Sequence, residues 1–248
     1  MSDQSESLPS GFILNIDQHT RAQFDLFLSA GGYNQVYYGS LTKNGKTETR
    51  ALRLNRGTGE DGQLERVLIQ PRALNIDGAV VAESHGLFKD SNGKQFQLTS
   101  CPYIRGQNLY NYQNSQLSRD PNFESREFSK VKPIDVNEVS SLIAQSAVII
   151  SDVNKKGFEH GDIKPANIMR EKSGQIKIID WDEMKSIGEK YTSFSATEGY
   201  FPPDMANSFR KNHHCVYNGK ADVYAVPHPQ FTRHPAADCI DEPACSGW

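Results

Sequence analysis

The stretch His160-Gly161-Asp162-Ile163-Lys164-Pro165-Ala166-Asn167, followed downstream by Ile179-Asp180-Trp181-Asp182, decides how the rest of the chain is read. Moving a phosphoryl group asks a protein for little covalent chemistry. It asks for a carboxylate beside the attacking hydroxyl, a cation against the moving phosphate, and oxygen ligands that hold Mg²⁺ between phosphates. Asp162 is the candidate base and Lys164 the candidate cation, while Asn167 and Asp180 are the candidate magnesium ligands. The bland account is a surface loop of assorted polar residues. Five specified residue types at fixed offsets argue against it. The reading requires Asp162 and Asp180 to converge on one magnesium–nucleotide pocket.

Working outward, NIMRE and QIKIID read as a short hairpin around Ser173-Gly174. Upstream, Val139, Leu142, Ile143, Ser146, Ala147 and Ile150 recur at helical spacing. Asp135 caps that helix with Glu138 three residues on, and Gly157 stops it. Further upstream the period changes to two. FDLFLSAGGYNQVYYGSL reads as strand, tight turn and strand. Asn44-Gly45 supplies a hairpin turn before ETRALRL, and LERVLIQ has helical spacing until Pro71. VVAESHGLF and KQFQLTS, separated by Asp90-Ser91-Asn92-Gly93, complete an antiparallel sheet. Residues 1 to about 20 read as a flexible or loosely docked lead-in.

Composition narrows the class. The 248 residues carry 27 basic and 30 acidic side chains, a formal net charge of −3, with 37% apolar, 23% charged and 10% aromatic residues. So near-neutral a balance excludes a nucleic-acid binder held by counterion release, and the apolar content excludes an unfolded chain. Four cysteines without a C-x-x-C pair point to a reducing compartment, and the grouped His213, His214 and Cys215 read as a solvated loop rather than a zinc site. Ser141–Ile150 is too short to span a bilayer, and the polar N-terminus has no secretory pattern. The expectation is a cytoplasmic protein with no membrane span and no nucleic-acid partner.

At these motifs the sequence resembles the protein kinase family. HGDIKPAN stands for its catalytic loop H-R-D-x-K-x-x-N, and DWD for its metal-binding D-F-G. SAGGYNQVYYG resembles its glycine-rich loop, ALR the A-x-K of its third strand, and SCPYIRGQNLYNY its hinge and following helix. ATEGYFPPD is similar to the segment ending in A-P-E, and KADVYA to the start of its anchoring helix. The resemblance runs from about residue 24 to 225 in family order. It implies an α+β, bilobal kinase-like fold: a small antiparallel β lobe plus one helix over residues 21–100, and a hinge with a mainly helical, incomplete second lobe over 101–225. A lead-in over 1–20 and an irregular tail over 226–248 flank them. It also implies ATP and Mg²⁺ as cofactors and a protein substrate with Ser/Thr hydroxyls, Lys164 and Thr197 marking that specificity. By the same likeness, Gly31 and Gly32 would approach the phosphates, Val36 and Ala51 would pack on adenine, and Arg53 would reach the phosphates, paired with Glu65 or, alternatively, Glu60. The Pro102 carbonyl and Ile104 amide would read the base, and Asp222 would brace the catalytic loop.

The departures are as informative. Arg53 replaces a lysine, and a planar fork is not a compact ammonium. Ser29 and Asn34 fill two glycine positions, and Asn34 is the milder change because asparagine tolerates a left-handed conformation. Trp181 and Asp182 replace phenylalanine and glycine, which stiffens that segment. Gly161 replaces the catalytic-loop arginine and removes the usual cationic pocket for a phosphorylated activation segment. Val226-Pro227-His228-Pro229 interrupts the anchoring helix, and the following residues include Pro235, Pro243, Cys239 and Cys245 without an apolar period. An incomplete second lobe predicts marginal stability, a partner that covers it, or a truncated product. Three readings follow: a serine/threonine protein kinase, a catalytically weak or inactive binding module of the same shape, and a small-molecule kinase of the aminoglycoside or choline type. The I-D-W-acid run suits the third, whereas ATEGYFPPD argues against it.

Overall fold

A computed structural model of the chain describes residues 7–30, 34–55, 75–89, 95–117, 135–192, 197 and 200–226. They divide into two compact units. The first takes the chain up to Asn75 together with Val80–Arg105 and Asp180–Asp182; the second takes Ile76–Ala79, Gly106–Ile179 and Glu183 onward.

The first unit is built on period-two alternation. β1 (Phe12–Asn15), β2 (Thr20–Ala30), β3 (Asn34–Lys43), β4 (Lys46–Asn55), β5 (Glu83–Lys89) and β6 (Gln95–Pro102) form one antiparallel sheet in the order β1-β2-β3-β4-β6-β5. Asn44 and Gly45 join β3 to β4 with φ values of 50° and 77°, the doubly left-handed turn whose twist matches that of the flanking strands. One sheet face carries the core: Ala22, Phe24, Tyr37, Leu41, Leu52, Leu54 and Leu98. Phe24 meets the Tyr37 ring edge-on at 5.3 Å. Each such large apolar side chain contributes roughly 1.5–3 kcal/mol on burial. The other face is set by register, which aligns Val36 with Arg53 and Thr99, and Tyr38 with Ala51 and Cys101.

The lead-in departs from expectation. Phe12–Asn15 is an ordered edge strand paired with Arg21–Phe24, and Leu8, Leu14 and Ile16 pack against the core. The backbone N–H of Leu8 donates to the Tyr37 hydroxyl at 2.9 Å. Four residues are too few for their alternation to stand out, and the pairing comes from β2 offering an open edge.

The second unit holds α1 (Leu109–Leu117), α2 (Val136–Lys155), α3 (Pro203–Asn212) and α4 (Ala221–Ala225) among its described residues. Short strands stitch the loops between them: β7 (Gly106–Asn108), β8 (Phe158–Glu159), β9 (Ile168–Glu171), β10 (Ile176–Ile178), β11 (Lys185–Ser186), β12 (Lys190–Tyr191) and β13 (Cys215–Val216). β9 and β10 form the expected hairpin, with Ile178 opposite Ile168. The Asp135 side chain accepts the Asn137 N–H at 2.9 Å and so caps α2. Glu138, expected to complete that cap, instead accepts the Tyr112 hydroxyl at 2.7 Å and pairs with Arg170 at 2.8 Å. The buried face of α2 is Leu142, Ser146, Ile149, Ile150 and Val153, while Ala147 is exposed. Ala147 lies five positions past Leu142, about 140° around the helix, so it turns away from the stripe.

Several readings fall outside the described residues: the turn at Gly31-Gly32, the helical segment with Glu60 and Glu65, the Asp90–Gly93 turn, and the chain after Val226. Among the described residues, no helix is long and apolar enough to cross a membrane.

Candidate active site

In the second unit the HGDIKPAN loop leaves β8 and ends in a single 3₁₀ turn, Pro165–Asn167. The Asp162 carboxylate is gripped from two sides. Its Oδ2 accepts Lys164 Nζ at 2.7 Å, and its Oδ1 accepts the Thr197 hydroxyl at 2.7 Å. Lys164 Nζ also donates to Thr197 Oγ1 at 3.0 Å. Asn167 Nδ2 donates to the Asp162 carbonyl at 2.9 Å, which identifies the nitrogen end of that amide and leaves its oxygen as the metal-type donor. The loop therefore presents a carboxylate already oriented toward a hydroxyl and a cation.

Two buried acids hold this loop in place. Asp222, at the start of α4, accepts the backbone N–H of His160 at 2.5 Å and of Gly161 at 3.0 Å. In return Glu159 accepts the N–H of Ala221 at 3.0 Å and that of Gly219. His160 is fully buried, with Nε2 at 2.9 Å from the Ile179 carbonyl. Asp222 acts as the sequence implied. Glu159 was not singled out, because a buried acid beside His160 looks in sequence like any polar loop residue. Its one signal was a charged residue following Phe158 inside an otherwise apolar strand end.

Burial raises both carboxyls. For Glu159 the neighbouring Asp222 charge adds to desolvation, and for Asp222 desolvation outweighs His160 and the two N–H bonds. A group whose proton is held more tightly in the folded state stabilises fully below the ordinary carboxylate range, and that stability is lost as pH climbs through the raised values. Denaturant titrations at a series of pH values are expected to show the parent losing more stability than Glu159→Gln as pH rises through this window. Identical pH slopes in the two proteins would exclude the buried acid as the cause.

Gly161 explains a departure from the kinase pattern. Its φ is 85°, and a Cβ placed there would lie 2.5 Å from the Glu183 carbonyl oxygen. An arginine at this position would be strained and would require that backbone to shift. Turnover is accordingly expected to be unchanged after phosphatase treatment that clears Thr192, Ser193, Ser195 and Thr197; of these, Ser193 and Ser195 lie outside the described residues. A collapse of activity would refute it.

In the first unit Val36, Ala51 and Arg53 share the half-buried sheet face, and β6 ends at Pro102, with Ile104 half-buried in the following loop. Asp180 has a left-handed φ of 65° and leads into a 3₁₀ turn, Trp181–Glu183, in which Trp181 is buried. That turn brings two carboxylates to one guanidinium: Arg53 Nη1 donates to Asp180 Oδ1 at 2.8 Å, and Nη2 donates to Asp182 Oδ2. Burial alone would push Arg53 down, but Asp182 and then Asp180 overturn this and hold it above its ordinary value. Gly31, Gly32 and Glu65 lie outside the described residues. Asp180 carries a carboxylate and Asn167 an amide oxygen, hard oxygens of the kind magnesium selects, so the residue types expected for that ion fit it.

An α+β chain with this looped carboxylate, lysine and asparagine belongs to a definable class. The protein kinase domain family matches residues 111–227, and over this segment the chain is similar to that family. Among curated proteins, it is 30% identical over 96 residues to serine/threonine-protein kinase cds1 of Schizosaccharomyces pombe, covering 38% of this chain and 21% of that one. It is 28% identical over 114 residues to mouse cyclin-dependent kinase-like 4, covering 45% and 29%. A probable serine/threonine-protein kinase of Streptomyces coelicolor is 23% identical over 208 residues, covering 80% of this chain and 28% of the relative. The chain thus spans less than a third of the length of each of these relatives.

Proposed function

We propose that the chain transfers the γ-phosphoryl group of ATP to serine or threonine hydroxyls of proteins, with Mg²⁺ as cofactor. The observation that carries this is the grip of Asp162 on a threonine hydroxyl at 2.7 Å with Lys164 Nζ beside it, an arrangement suited to an attacking side chain. In this reading Asp162 orients the incoming hydroxyl and accepts its proton, while Lys164 offsets charge on the transferred group. Asn167 and Asp180 would hold the magnesium ion, which neutralises charge on the phosphates when bound. Val36 and Ala51 would cover the adenine, the Pro102 carbonyl and Ile104 amide would read its edge, and Gly31 and Gly32 would admit the phosphates. The expected location is the cytoplasm, and a further partner would cover the apolar surface of the second unit.

The test is transfer from labelled ATP to a generic basic protein. Label on Ser/Thr that disappears with a chelator supports the reading. One observation favours an inert module instead: Arg53 is already committed to two carboxylates. Magnesium-dependent nucleotide binding with no transferred label would select that alternative.

A further inference from the structure

We propose that Asp182 is a positioning residue that anchors Arg53 for phosphate contact, a part of the kind that the kinase resemblance assigns to a carboxylate. The proposal rests on nucleotide binding, which the active and the inert readings share. Arg53 reaches both carboxylates through separate nitrogens, Nη1 to Asp180 and Nη2 to Asp182, and its buried Nε has no hydrogen-bond partner among the described residues. Its side chain is 14% exposed, against 25% for Asp182 and 41% for Asp180. The triad therefore has a sheltered cation, a sheltered anchor and a more open third member.

These three facts assign different jobs to the two acids. A guanidinium can bridge two carboxylates held two residues apart on one tight turn, whereas a single ammonium makes a point contact. The arginine at position 53 and the acid at position 182 are thus two halves of one device. Asp180 is the candidate metal ligand, so a bound dication competes with Nη1 for its oxygen. Asp182 keeps its hold on Nη2 throughout. The guanidinium then stays in place while Nη1 is exchanged from Asp180 to a phosphate oxygen, without swinging away from the sheet. Without Asp182 the same exchange would leave the side chain with neither of its two described carboxylate partners.

Calorimetric binding of ADP and of adenosine, both with Mg²⁺ and with the full chain, tests this in the parent, Asp182→Ala, Arg53→Lys and the double variant. Asp182→Ala is expected to weaken ADP about tenfold, equivalent to ~1.4 kcal/mol, while adenosine changes less than about twofold. On the Arg53→Lys background the same substitution is expected to cost less than about threefold, because the two residues act as a unit. Equal loss of ADP and adenosine would reduce Asp182 to a structural role and overturn the proposal. So would unchanged ADP affinity, or an identical loss on both backgrounds. A parent chain that binds neither ligand would sink the nucleotide reading itself, and this proposal with it, while binding by the parent with an indifferent Asp182→Ala sinks the proposal alone.

Discussion

Asp162→Asn is expected to lower phosphoryl transfer by about 10²–10⁴-fold, the range set by loss of a positioned general base. The substitution keeps the side chain's shape but removes the charge to which Lys164 Nζ is held at 2.7 Å. It also leaves only one acceptor oxygen for three donors, the Thr197 hydroxyl, the Lys164 ammonium and the Asn167 amide. Stability should change less, since the side chain, although sheltered, belongs to a polar loop rather than to an apolar core. The check is transfer of label to a basic protein, run beside a thermal melt of both proteins. Undiminished transfer from a well-folded variant would remove Asp162 from the chemistry.

Asp222→Ala is expected to be the most destabilising substitution in the second unit. The carboxylate is buried and satisfies two consecutive backbone N–H groups, those of His160 and Gly161. Removing it orphans both donors, at about 1–3 kcal/mol each, so a loss of roughly 2–6 kcal/mol follows. Asp222→Asn retains one acceptor and should lose less. Urea unfolding midpoints of the three proteins measure this directly, and an alanine variant as stable as the parent would show that the brace is dispensable. The two substitutions separate the loop's chemistry from its support: one silences a folded protein, the other loosens the frame.

What the sequence revealed and what it withheld follow from the range of the interactions. Asn44-Gly45, the Asp135 cap and the hairpin around Ser173-Gly174 are local, and each has the predicted geometry. The loop carrying Asp162, Lys164 and Asn167 was readable because its chemistry is packed into eight consecutive residues. Glu159 and Asp182 were missed or misread because their meaning depends on partners 62 and 129 positions away. Arg53 was expected to seek a helix carboxylate, Glu65 or Glu60, both of which lie outside the described residues; its two described partners stand on the turn after β10. The edge strand at Phe12–Asn15 was invisible for a related reason, since only a distant neighbour makes it a strand. Ala147 was misplaced because apolar character alone does not fix the phase of a helix.

The backbone at Gly161 constrains substitution. With the Glu183 carbonyl 2.5 Å from where a Cβ would sit, an arginine placed in the loop strains the backbone unless that carbonyl moves. The peptide after Glu183 would have to shift, and that shift would disturb the pairing of Lys185 with the more exposed Glu183. A cationic pocket of that kind therefore asks for a moved backbone as well as a changed residue, two alterations where the rest of the loop would need one.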